Sequence, residues 1–114
     1  MKPAIVSSDA EEDIAEASEF YRQTRGPHAA HALVDSLYEA FQSLAAHPLR
    51  GQLRPEIREG LRSFLVPNYV ILYEDRERHV YIARIIHQRR DLTKALDERG
   101  RLSTPRTSPS AGTR

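Results

Sequence analysis

The sequence predicts a two-layer α+β domain, a helical hairpin packed on one face of a mostly antiparallel sheet. Two apolar stripes at helical spacing follow one another between residues 8 and 47, separated by the breaker Gly26-Pro27. After Pro48 the pattern changes to short β-branched and aromatic segments divided by turn residues. Elements in that order bury their apolar faces best as helices segregated to one side of a sheet.

Residues 3–7 (PAIVS) read as a short edge strand, with proline at its first position where the missing N–H costs little. Ser8-Asp9-Ala10-Glu11 has the spacing of a capping box, so the first helix is expected to start there. Ala10, Ile14, Ala17 and Tyr21 then share a stripe, with acids on the other face. Pro27 can open the second helix, since a first-turn N–H has no helical partner to lose. Ala30, Leu33, Leu37, Phe41 and Leu44 form its stripe, and His47-Pro48 closes it. LRGQLRPEIREG reads as a loop with one helical turn at most.

Three strands follow: Leu61–Val66, Tyr69–Tyr73 and His79–His87, joined by Pro67-Asn68 and by the charged run 74–78. Tyr69–Tyr73 is apolar on both faces, as a central strand should be. Strict alternation puts Val80, Ile82, Arg84 and Ile86 on one face of the last strand, and Tyr81, Ala83, Ile85 and His87 on the other. A short helix around residues 91–99 ends at Gly100, a suitable left-handed cap. The domain is expected to span 1–100, and 101–114 reads as a disordered tail with little to bury.

The net charge of +1 conceals an asymmetry. Residues 1–48 carry three bases against eight acids, and residues 49–114 carry fourteen against eight. A basic second half can meet nucleic acid or an acidic protein, or can simply be a solvated surface. The absence of cysteine excludes disulfides, thiolate catalysis and cysteine-ligated zinc. No apolar run exceeds five residues, so neither a secretion signal nor a membrane span is expected, and the location expected is cytoplasmic. The histidines show no metal-ligand spacing and no glycine-rich phosphate loop exists; no metal or other cofactor is expected.

Three segments carry a family resemblance: the hairpin with FYRQ at 20–23 closing in LAAHPLRGQLRPEI at 44–57; GLRSF at 60–64 with YVILYED at 69–75; and VYIARIIHQRRD at 80–91. In this order and spacing the chain resembles the RelE/ParE toxins of type II toxin–antitoxin systems over roughly residues 3–96. GLRSF and HQRRD look more like the ParE branch. The resemblance implies a cognate antitoxin as partner, a toxin–antitoxin hetero-oligomer and DNA gyrase as target. Its RelE alternative implies a ribosome-dependent endoribonuclease acting on mRNA. A third possibility is an antitoxin-binding module without toxicity.

The two chemistries ask for different residues. RNA cleavage by 2′-hydroxyl attack needs a base, a cation and an acid. The resemblance to one ribonuclease subgroup offers Glu56 as base, Arg62 as phosphate clamp and His87 as acid. Against it, the only lysines are Lys2 and Lys94, and Gln88-Arg89-Arg90 stands where a tyrosine would follow the last strand. A surface-acting toxin would use Arg62, Arg84, Arg89 and Arg90 as partner or target contacts. For Arg62 the plainer role is a pair with Asp91 or an antitoxin carboxylate. Arg84, on an apolar face, fits a buried ion pair better. For His87 the plainer role is a structural hydrogen bond, and Tyr21, Tyr69 and Tyr73 read as core aromatics with their hydroxyls at the rim.

Overall fold

The computed structural model describes residues 1–89. Arg90, the helix expected at 91–99, its Gly100 cap, the tail at 101–114 and hence the domain boundary lie outside the described residues. In chain order the elements are β1 (Ala4–Val6), α1 (Ser8–Arg25), α2 (Pro27–Ala46), a 3₁₀ turn (Pro48–Arg50), β2 (Gln52–Leu53), β3 (Leu61–Val66), β4 (Tyr69–Asp75) and β5 (Val80–His87).

α1 starts at Ser8 as expected, but its N-cap lies one residue before the proposed capping box. Ser7 is the N-cap, extended at φ −68° and ψ 160°, and its Oγ accepts the Ala10 N–H at 2.9 Å. The same hydroxyl donates to the Ala83 carbonyl at 2.8 Å, so one serine caps the helix and ties it to β5. Gly26 ends α1 at φ +96°, where a side chain would be strained, and its N–H is held by the Arg22 carbonyl. Pro27 opens α2 as expected.

The sheet is mixed, in the order β1-β5-β4-β3-β2. β1 runs parallel to β5, and the other pairings are antiparallel. The two-residue β2 falls inside the segment read as a loop; its brevity gave no alternation to detect. On the helix side, Ala10, Ile14, Ala17, Leu33, Leu37, Phe41 and Leu44 pack on Tyr69, Ile71, Tyr73, Val80, Ile82 and Ile85. Burying each large apolar side chain of this layer stabilises the fold by about 1.5–3 kcal/mol. The other face holds a smaller cluster of Leu61, Val70, Leu72, Ala83 and Ile86.

The faces of β5 depart from strict alternation. Tyr73 lies opposite Ile82 but Leu72 lies opposite Arg84, so Ala83 has no counterpart and the strand bulges. One extra residue reverses the phase of all that follow it. Ile85 therefore joins Val80 and Ile82 under the helices, while Ile86 joins Ala83 on the far face. At this bulge the Arg84 side chain meets α1 at Asp13.

Candidate functional site

The residues proposed for catalysis sit apart. Glu56 lies on the connection between β2 and β3, 59% exposed, with Arg54 Nη1 at 3.3 Å. Arg54 in turn donates through Nε to Ser63 Oγ at 2.9 Å. Ser63 and Arg62 are neighbours on β3, so their side chains leave opposite faces. Arg62 is spent on backbone: its Nη1 donates to the Gly51 carbonyl at 2.7 Å and to that of Leu49 at 3.4 Å. His87 ends β5, half-buried, its ring edge-on to Tyr69 at 5.3 Å, with Nδ1 accepting the Arg89 N–H at 3.2 Å.

The registers fix the separation. Arg62 is aligned with Tyr73, and His87 with Tyr69, four residues further along the sheet and one strand beyond β4. At about 3.3 Å per residue and 4.8 Å per strand, their backbones are on the order of 16 Å apart. Proton transfer needs heavy atoms within about 3 Å of the reacting group. Glu56, Arg62 and His87 do not converge on one reacting atom.

Arg84 is corrected as a partner contact. Only 2% of its side chain is exposed, and Nε and Nη2 are bound by Asp13 Oδ2 and Oδ1 at 2.7 and 3.1 Å. The interior ion pair expected for a cation among apolar neighbours is what the fold holds. Asp13 Oδ2 also accepts the Ile85 N–H at 3.0 Å, which ties α1 to β5. Beside this pair an open groove of about 270 Å³ is lined by Glu16, Phe20, Tyr69 and His87. Arg89 is exposed in the turn after β5, where a partner could reach it.

Tyr73 corrects a second expectation. Its hydroxyl is interior, not at the rim: it donates to the Pro48 carbonyl and accepts the Gly51 N–H, each at 2.7 Å. Burial pushes the Tyr73 pKa up, and the Gly51 N–H and the Arg62 charge only partly offset it. Gly51 has no room for a side chain, since a Cβ there would stand 2.5 Å from that hydroxyl and 2.8 Å from the Ser63 carbonyl.

A family model described as ParE toxin of type II toxin–antitoxin system, parDE, matches residues 4–92. The chain belongs to the ParE toxin family. Toxin ParE3 of Caulobacter vibrioides is 31% identical over 77 residues, which cover 68% of this chain and 77% of that relative. A solved structure described as a chromosomal ParDE TA system from P. aeruginosa superposes at a TM-score of 0.68 and 20% identity. It covers 76% of this chain and 96% of its own. The ParE-like resemblance and the two-layer fold are thus borne out. Among the described residues of this ParE-family chain, no helix is long and apolar enough to cross a membrane.

The sequence reading missed Asp13, Gly51 and Tyr73 as organising residues of the ParE-family domain. A signal for Asp13 existed: it lies three residues after Ala10 and four before Ala17, on the edge of the apolar stripe. Nothing local marks Tyr73, whose partners lie more than 20 residues away.

Proposed function

We propose that this chain is the toxin of a type II toxin–antitoxin system, that it inhibits DNA gyrase in the cytoplasm through surface contacts, and that a cognate antitoxin neutralises it. The observation that carries this reading is the separation of Glu56, Arg62 and His87, with Arg62 engaged by the carbonyls of the 49–51 turn. A binding toxin needs no converging acid and base; a ribonuclease does. Membership of the ParE family supports the same choice.

The antitoxin is expected to be acidic where it meets the chain, because residues 49–114 carry six more bases than acids. A permanent complex of this kind should bury more than about 2,000 Å² in total. The deciding experiment titrates the purified chain into a gyrase supercoiling reaction, beside a translation extract probed for messenger cleavage. Loss of supercoiling with intact messenger supports the reading. Messenger fragments with undisturbed supercoiling would replace it by the ribonuclease, and a chain silent in both that still binds an antitoxin would be the non-toxic module.

A further inference from the structure

The turn that joins the helical hairpin to the sheet carries a repeated pair, Leu49-Arg50 and Leu53-Arg54, spaced by Gly51-Gln52. Both leucines face water: Leu49 is 68% exposed and Leu53 50%. A single exposed leucine on a small protein calls for no explanation. Two within five residues, each followed by arginine, on a segment held as firmly as this one, do.

The restraints come from four sides. Tyr73 binds Pro48 and Gly51 through one buried hydroxyl. Arg62 holds the Gly51 carbonyl and reaches that of Leu49. Arg50 Nη1 donates to Ser43 Oγ at 2.7 Å, fixing the turn to the end of α2, and Arg54 Nε is bound to Ser63. The packing around Gly51 leaves no freedom for a side chain. Leu53 pairs directly with Arg62 across β2 and β3, so both side chains leave the same face of this sheet edge. Its side chain and the Leu49 backbone held by Arg62 therefore lie on one side.

We infer that the Leu49–Arg54 turn is a preorganised knuckle through which the chain grips its protein target, and that it fits an apolar pocket rimmed by carboxylates. A rigid presentation avoids the ordering cost that a flexible loop incurs on binding. Exposed leucines gain from desolvation only in an apolar pocket, which excludes a phosphate backbone as the main contact. Arginine is enriched among the residues that dominate interface energy, and its planar fork suits a carboxylate. Residues 49–54 carry two bases and no acid, and Arg54 is already paired with Glu56 just beyond them. The exposed Arg50, whose side chain is bonded to the neutral Ser43 hydroxyl, is the cation that calls for an acidic rim.

This rests on the reading of the chain as a toxin acting on a protein, and the test separates the two. The full-length chain and its double variant Leu49→Ser/Leu53→Ser are compared by growth arrest on induction, by gyrase supercoiling and by thermal unfolding. The replaced side chains are exposed, so the unfolding midpoint should stay within about 3 °C. The concentration that halves supercoiling should rise roughly tenfold or more, and growth arrest should be lost. Wild-type arrest and inhibition by the double variant overturn the knuckle. So does indifference to the leucines combined with loss of arrest in Arg50→Gln/Arg54→Gln, the pattern of a nucleic-acid contact. If the wild type arrests growth while leaving supercoiling intact, the gyrase reading falls. The knuckle then stands or falls on growth arrest by the same leucine pair. A wild type that arrests nothing removes both.

Discussion

Asp13 on α1 grips Arg84 on β5 with both carboxylate oxygens, across 71 residues of chain and with at most 5% of either side chain exposed. Two charges removed from water are tolerable because each neutralises the other; one left alone is not. Asp13→Ala is therefore expected to destabilise the fold by about 3–5 kcal/mol in urea unfolding. Asp13→Leu combined with Arg84→Met should cost much less than the two single changes added together. Simple additivity would show that the pair is not coupled.

Tyr73 and Gly51 make a second linked pair. Tyr73→Phe leaves the ring but orphans the Gly51 N–H, at an expected cost of about 1–3 kcal/mol. Gly51→Ala should cost about as much through overpacking. Combining Gly51→Ala with Tyr73→Phe should relieve only part of that clash, because the Ser63 carbonyl and the ring carbon remain within 2.8 Å of the new methyl. Denaturation midpoints of the three variants check this.

Glu74 sets an acid limit on stability. Burial works against its charged form, but hydrogen bonds from Arg58 and Arg76, with their charges, outweigh it and hold the carboxyl below its ordinary value of 4.5. A pKa depressed by folding contributes stability above the unfolded value and loses it as pH falls through the folded one. The stability difference between wild type and Glu74→Gln should thus be constant from about pH 6 to 8 and shrink below about 4.5. A difference that grows on acidification would reverse the assignment.

For toxicity, His87 and the arginines after it should behave differently. His87→Gln loses at most the Arg89 N–H and the Tyr69 ring contact, worth about 1–2 kcal/mol, and most growth arrest should persist. Arg89→Ala with Arg90→Ala should weaken arrest more, as expected of interface anchors. Abolition by His87→Gln in a folded protein, with messenger cut only by the wild type, would invert the order.

The fold was legible where chemistry repeats at short range. The stripe from Ala30 to Leu44 marked α2, and the breaks at Gly26-Pro27 and Pro67-Asn68 marked the turns. Long-range pairing was not legible. Neither the parallel pairing of β1 with β5 nor the bulge at Ala83 leaves a local signature, and the bulge exchanged the expected faces of Ile85 and Ile86. The candidate trio was drawn from residue type and a resemblance, which carry no distances. The register supplied those, and with them the reason that Arg62 serves the backbone instead.

The parallel pairing of β1 with β5 has a consequence for synthesis. The helical hairpin is synthesised well before Val80–Ile82, the residues that receive β1. Until then the first strand has no neighbour and the Asp13 carboxylate has not met its guanidinium, so the amino-terminal half cannot complete its own interior. Loops of more than 70 residues must close before the sheet edge forms, which slows folding relative to a locally wired domain. A nascent chain stalled or cut before Arg84 should therefore be inert and a ready substrate for proteases. On the toxin reading, the cell making it is exposed only to finished molecules.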